Sequence, residues 1–421
     1  MRGGMNEAES KAGRIRVRIT REGWIYIIIL AFVSAGALLR NINLLMLMTG
    51  IMIAPLFLSW RLCLAMLRNL LAVRTIPNQL FAGRPSTISW CITNRRKSIP
   101  TWHLVIQDHV ANVEVPKRRW NRVRLIVPLI KPAEASYGTY QSNFLQRGMY
   151  IAGPARISTR FPCGVIEGYF MIADRTELLV APATGRLTAS WDRRLDSHAS
   201  GSQALKRQRG SQDEEFFALR HWRSGDNRRH IHWRVTAKYN HPVVKQFDSR
   251  SDRDFVLALD LWSPDPFSDG LSEPVEQALS FASTVLAGLP SVVRGKVAIA
   301  ICGANLSVLS DHCSPQLCAQ VWDELAVAGS STAPELLTGL ERLAEHVTGG
   351  TPFYVISTKD QPEQWLPMAE SGNLSRQFLG IEPWIRWLKV GTDEFRELFE
   401  PPSSLTSDSS IPIRKVQDVH S

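Results

Sequence analysis

Residues 255–261 read FVLALDL, seven positions whose only charge is Asp260. A run this short and this apolar suits a strand covered on both faces, as the central strands of parallel sheets are. Downstream, residues 273–289 set Val275, Ala278, Leu279, Ala282 and Leu286 at helical spacing. Residues 296–302 (KVAIAIC) predict a second strand, 315–328 and 334–347 two helices, and 352–357 (PFYVIS) a third strand. Strands alternating with helices at this spacing predict a doubly wound α/β domain over 255–398. Residues 399–421, with Pro and Ser at their start, predict a disordered tail.

Immediately upstream lies the densest chemistry in the chain, residues 213–254, DEEFFALRHWRSGDNRRHIHWRVTAKYNHPVVKQFDSRSDRD. Carboxylates at 213–215 precede Phe216, Phe217 and Leu219. Arg220, Trp222 and Arg223 then lead into the turn Ser224-Gly225-Asp226, followed by Arg228, Arg229, His230, Ile231, His232 and Trp233. Between residues 193 and 250 stand thirteen Lys/Arg and six Asp/Glu, so this window holds most of the chain's formal charge of +10. Basic excess fits nucleic acid, anionic lipid or an acidic protein surface. The apolar runs near the N-terminus favour lipid or protein and argue against nucleic acid, although bases can stack on aromatic rings such as those interleaved here.

Two readings of this motif compete. Glu215, Arg220, Asp226 and Arg229 suit a cluster in which arginine forks grip carboxylates while Trp222 or Trp233 covers a guanidinium plane. Alternatively, His230 and His232 would share one face of a strand and, with Asp226 or Glu215, could hold a transition metal or act as general acid and base. That alternative is a metal-dependent hydrolase built on Asp226, His230 and His232. The motifs of P-loop enzymes, serine hydrolases with a nucleophile elbow and H-E-x-x-H metalloproteases are all absent. On balance the motif reads as an interaction or structural cluster, with no catalytic residue assigned.

Farther upstream, residues 183–212 are Ser-, Gln-, Arg- and Gly-rich and read as a linker or long loop. From 76 to 180, short runs such as 86–92, 102–110, 122–130 and 138–145 are separated by turn residues, with Pro100, Pro116, Pro132 and Pro154 in the gaps. Regularly spaced short strands without a convincing helix predict a β-sandwich domain. Residues 23–39 (GWIYIIILAFVSAGALL) and 44–60 (LLMLMTGIMIAPLFLSW) carry no charge and are joined by a four-residue break. Seventeen helical residues rise about 26 Å, close to a bilayer core, so 23–60 predicts a two-helix transmembrane hairpin. No small-residue cleavage site precedes Arg40, which argues against a cleaved leader. Arginines flank both outer ends of the hairpin and only Arg40 lies in its turn. The positive-inside rule therefore predicts a multi-pass protein of the cytoplasmic (inner) membrane with the basic residues 1–22, both termini and all soluble parts in the cytoplasm. The six cysteines show no C-x-x-C spacing and read as reduced, buried thiols.

The central motif resembles the family known as domain of unknown function 58. The residues that carry the likeness are Glu215, Phe216, Leu219, Arg220, Gly225, Asp226, Arg229, Ile231, Trp233 and Ala237, with Trp222 where the family often has Tyr and His232 where it often has Asp. Arg147-Gly148-Met149-Tyr150 and Phe161-Pro162-Cys163-Gly164 are similar to two further family elements. The resemblance implies a membrane hairpin and β-sandwich joined to a von Willebrand factor A-like domain. It also implies a partner, a MoxR-type AAA+ ATPase, in envelope-related assembly or chaperone-like work. Such domains often hold Mg²⁺ through D-x-S-x-S after the first strand, where oxygen ligands suit a hard cation. Here the register is Asp260, Trp262, Pro264; Ser263, Asp265 and Asp269 are the nearest substitutes. With the pattern broken, no metal or other cofactor is assigned.

Overall fold

The computed structural model describes residues 8–10, 13–113, 121–195, 216–223, 230–247, 254–265, 272–293, 295–346, 351–360 and 382–403. The chain divides into two compact units, Met1–Ala181 and Pro182–Ser421.

The first unit begins with strands β1 (Ala8–Ser10) and β2 (Arg16–Ile19), then helices α1 (Arg21–Arg40) and α2 (Asn43–Leu67). Thr20 caps α1, its Oγ1 accepting from the Gly23 N–H at 3.0 Å. Asn41 ends the helix at φ 48°, a left-handed position that Asn tolerates. Both helices are long and apolar enough to cross a membrane. Ile28, Phe32, Leu39, Leu44, Leu47 and Ile51 are exposed along them. The second helix outruns its expected end at 60. In its last turn Cys63, Met66 and Leu67 are buried, and Gly168 leaves room for Cys63 and Leu67 to press against the sheet.

Ten more strands follow: β3 (Leu70–Thr75), β4 (Leu80–Phe81), β5 (Pro85–Asn94), β6 (Thr101–Asn112), β7 (Asn121–Ile130), β8 (Ala135–Asn143), β9 (Gly148–Ala152), β10 (Ala155–Thr159), β11 (Ile166–Ile172) and β12 (Thr176–Ala181). They form a four-stranded sheet, β1-β3-β5-β8, and an eight-stranded one, β2-β11-β10-β6-β9-β12-β4, with β7 paired to β6. Ile88, Trp90 and Ile92 of β5 are buried at every second position, the period of a strand with one covered face. The basic N-terminal segment, residues 1–22, supplies the two short strands β1 and β2. Backbone pairing of Arg16–Ile19 with β11 satisfies donors that a free tail would give to water.

The second unit is a mixed α/β structure. It opens with β13 (Arg186–Leu187) and α3 (189–195), inside the stretch expected to be a linker. Trp191 of α3 is 1% exposed and packs edge-on against Phe281 at 5.2 Å, which is why this segment is ordered structure and not connection. Next come β14 (Phe216–His221), α4 (Trp233–Tyr239) and β15 (Val243–Phe247). The main sheet follows: β16 (Phe255–Asp260), α5 (Glu273–Val292), β17 (Lys296–Cys302), β18 (Leu306–His312), α6 (Pro315–Val327), α7 (Leu336–His346), β19 (Phe353–Ser357) and β20 (Ile385–Lys389). A short helix, Asp393–Leu398, leads to β21 (Phe399–Glu400), which pairs with β13. The expected disordered tail thus starts as a strand, and its remainder from 404 lies outside the described residues.

The strand order is β18-β17-β16-β19-β20. Strands β17, β16, β19 and β20 run parallel, while β18 is antiparallel to β17. All six residues of β16 are buried. Phe255, Leu257 and Leu259 join a core with α5 and α6, while Val256 and Ala258 join one with α7. Helices therefore cover both faces, which explains the unbroken apolar run. Strands β18 and β20 escaped sequence reading because their faces are mixed. LSVLSDH and IRWLK each interleave polar residues that an edge strand can leave in water.

Candidate functional site

The motif segment folds as an antiparallel ribbon, β14 against β15, with Leu219 opposite Lys245 and Arg220 opposite Val244. Val243 and Val244 are buried and anchor it. The chain returns through Ile231, which bridges to Val244, and His232, whose N–H donates to the Val243 carbonyl at 2.8 Å. His232 is the N-cap of α4; its Nδ1 accepts from the Val235 N–H at 3.3 Å. Thr236 Oγ1 takes the Val243 N–H at 3.1 Å and fastens the helix to β15.

This arrangement buries none of the seven residues of α4, Ala237 included. Trp233 is 69% exposed and Tyr239 57%, with Lys238 Nζ 5.9 Å from the Tyr239 ring centroid. Leu219 and Trp222 on the ribbon are exposed as well, and the His221 and His241 rings lie 4.6 Å apart. Leu219, Trp222, Trp233 and Tyr239 thus leave apolar surface in solvent on elements that bury little of it.

His230 and His232 do not lie on a strand and do not share a strand face. His230 sits in a 3₁₀ turn, and the ring of His232 is committed to the cap. Among the described residues no group of three or more His, Cys, Asp or Glu is placed to hold a metal. Glu215, Gly225, Asp226 and Arg229 lie outside the described residues, as does the side chain of Phe216, so the expected carboxylate–guanidinium cluster is not placed. Arg220 Nη1 donates to the His221 carbonyl at 3.2 Å.

A second constellation stands at the carboxyl ends of β16 and β19. The chain leaves β16 for β17 on one side and comes back to β19 on the other, so the strand order reverses here, the usual crevice of open α/β sheets. Asp260 is buried, and its Oδ2 accepts from Ser357 Oγ at 2.6 Å. Burial pushes its carboxyl above the ordinary range, opposed by the Ser357 hydrogen bond and the charge of Lys359. The Lys359 N–H donates to Ser357 Oγ at 2.9 Å, and its ammonium lies 4.6 Å from the Trp262 ring centroid. Thr358 Oγ1 donates to the Trp262 carbonyl at 2.6 Å. Cys302, beside Asp260, has its thiol pushed up to about 12, first by burial and then by Asp260 and Glu335.

Of the oxygen ligands considered from sequence, Asp260 turns toward Ser357, Ser263 is buried with its N–H bonded to the Ser331 carbonyl, Asp265 is exposed, and Asp269 lies outside the described residues. Ser357 and Lys359 were missed. Their only sequence signal is position, at and just past the end of an apolar strand, where functional groups of such sheets gather.

These features define a chain with two membrane-length helices, a sheet-rich unit and a mixed α/β unit that displays an aromatic ribbon. Residues 218–369 match the family model described as Protein of unknown function DUF58, a stretch that covers most of the ribbon and four of the five strands of the main sheet. No curated protein matches the chain. Among solved structures it is similar to a β-glucosidase from Listeria innocua in complex with isofagomine, at 14% identity and a TM-score of 0.20 over 26% of this chain and 16% of the glucosidase. It is also similar to the C-terminal domain of wzt, at 9% identity and TM-score 0.21 over 26% and 67% of the two chains. A third is Spo0M, a sporulation control protein from Bacillus subtilis, at 8% identity and TM-score 0.17 over 33% and 56%. The chain thus spans about a sixth of the glucosidase's length.

Proposed function

We propose that this chain is a membrane-anchored docking protein whose α/β unit, of von Willebrand factor A-like type, binds a MoxR-type AAA+ ATPase in envelope-related assembly. Helices α1 and α2 form the anchor, and the following strands form a β-sandwich that rests beside it. The arginines before α1 and at Arg61 and Arg68 support a multi-pass inner-membrane topology with the termini and both soluble units in the cytoplasm.

The observation that carries the docking reading is the ribbon with α4, where Leu219, Trp222, Trp233 and Tyr239 are exposed on elements that bury little. Tryptophan and tyrosine supply large contact area with few rotatable bonds, and arginine-rich surroundings favour an acidic partner face. Arg223, Arg234, Lys238 and Lys245 supply that positive rim.

The test uses the detergent-solubilised full chain and a purified MoxR-type ATPase from the same organism. Co-purification by wild type and its loss in a Trp222→Ala/Trp233→Ala variant of unchanged fold supports the reading. Failure of wild type to retain the ATPase with ATP, with ADP or without nucleotide overturns it.

A further inference from the structure

At the inner end of α1 and α2 the first unit gathers more guanidinium than carboxylate. Glu167 of β11 is buried, and three arginines converge on it: Arg18 Nε at 2.7 Å, Arg156 Nη2 at 3.3 Å and Arg160 Nη2 at 3.8 Å. One negative charge thus faces three positive ones. Arg156 is the inner member, its guanidinium 4.0 Å from the Tyr169 ring centroid. Arg18 and Arg160 keep about half of their side-chain surface in solvent, at 54% and 50%. Arg21 and Glu22, at the start of α1, are exposed, and the charges of both Arg160 and Arg21 reach Glu22, the other carboxylate of the collar. Glu167 orients the three forks without neutralising them.

The height of this collar follows from the helices. Thr20 Oγ1, at the cap of α1, donates to the Gly164 carbonyl at 2.7 Å, and Cys63 of α2 lies 3.3 Å from the Phe161 carbonyl. The loop 160–165 therefore sits at the end of both helices. About 20 residues of α2 at a 1.5 Å rise consume the roughly 30 Å of a bilayer core and end just before Cys63. The loop lies where acyl chains give way to headgroups. At that height Phe161 stacks on Trp102, with ring centroids 5.8 Å apart and planes 16° from parallel, and Trp102 is exposed. Aromatic rings flanked by arginine are what a lipid–water boundary selects.

We propose that this collar is a binding site for anionic phospholipid, with Arg18, Arg160 and Arg21 on the headgroup phosphate and the Trp102–Phe161 stack at the acyl boundary. The inference rests on the reading that α1 and α2 cross a bilayer and adds a headgroup preference to it. A soluble phosphate would meet the same guanidiniums; continuity of the collar with two lipid-length helices favours the lipid.

The test is thermal unfolding of the detergent-solubilised full chain titrated with phosphatidylglycerol, phosphatidylcholine or glycerol 3-phosphate. Stabilisation by phosphatidylglycerol alone is expected. Each arginine near a charged leaflet carries enough attraction that Arg160→Gln should raise the half-effective lipid concentration about fivefold, and Arg18→Gln/Arg160→Gln further. Arg160→Gln touches only the longest of the three pairs, so its unfolding without lipid should match wild type and separate lost binding from lost folding. Equal stabilisation by phosphatidylcholine, an equal effect of glycerol 3-phosphate, or unchanged titrations in both variants would overturn the proposal. Alkaline extraction of native membranes reports on anchoring separately: a chain that stays in the pellet yet shows no headgroup preference loses the collar but keeps its anchor.

Discussion

Arg74 Nη1 and Asp108 Oδ1 stand 3.0 Å apart in the interior of the first unit, one on β3 and the other on β6, and so join its two sheets by a buried ion pair. The carboxylate is fully employed. Its Oδ2 also accepts from Trp90 Nε1 at 3.2 Å and from the Tyr140 hydroxyl at 2.8 Å, one group each from β5 and β8. Asp108 thus collects donors from three strands of the opposite sheet. Burial and then the Asp108 charge push the Tyr140 phenol far above its ordinary range, so it stays a donor.

Removing Asp108 leaves the buried Arg74 guanidinium without its counter-charge and takes the acceptor from Trp90 Nε1, the Tyr140 hydroxyl and the His109 N–H. Asp108→Ala should therefore cost about 3–5 kcal/mol, against roughly 1 kcal/mol for Tyr140→Phe, which deletes one donor and its proton together. Denaturant melts of the two variants in the same detergent check the ordering. Equal small losses would mean that water reaches the network.

Asp260 provides a pH test. Burial raises its folded pKa above the ordinary 3.8, so the folded state favours the protonated carboxyl. Its contribution is therefore complete below the unfolded pKa and is lost as pH rises through the folded one. Asp260→Asn removes the titration, and its stability relative to wild type should rise from acid toward neutral pH. Melting temperatures of both proteins across that range measure it; a constant difference would place Asp260 in water.

Trp191 marks where the second unit begins. Trp191→Ala empties a site lined by Phe281 and Tyr354 and should cost about 3–5 kcal/mol. A fragment starting at residue 213 lacks this ring and should aggregate where one starting at 182 folds. Circular dichroism of the two fragments distinguishes them.

Gly23 lies where α1 meets the loop before β11. A Cβ there would fall 2.1 Å from the Val165 carbonyl oxygen, so Gly23→Ala forces the junction apart at about 1–3 kcal/mol. Faster proteolysis of that loop is the expected readout, and wild-type resistance would show that the helix shifts freely.

The patterns legible in sequence were those with one dominant period. FVLALDL and KVAIAIC are apolar apart from Asp260 and Lys296 because helices cover both faces, and both are interior strands of the sheet. The two lipid-length helices were equally plain. What escaped was structure whose signal is split between distant segments. Leu187, Trp191 and Leu195 recur at four-residue intervals within a Ser- and Arg-rich stretch, and only their packing on α5 and β19 makes them core. Residues 16–19 alternate Arg with Val and Ile, a strand pattern hidden by basic composition. At the candidate site, exposed rings on α4 follow from a helix too short to bury a face, which residue types alone do not reveal. Asp260 was visible, while its partner Ser357 lies 97 residues away and needed the sheet order to bring it near.

The most direct measurement is a titration of the full-length chain, held in lipid nanodiscs, with the purified MoxR-type ATPase, comparing wild type with Trp222→Ala/Trp233→Ala. Both rings are exposed, so the variant should melt with wild type to within about 0.5 kcal/mol. Saturable binding by wild type and at least about tenfold weaker binding by the variant, equivalent to roughly 1.4 kcal/mol, is the expected result. Equal affinity of the two proteins, or no binding by wild type in any nucleotide state, would contradict a docking role for the ribbon.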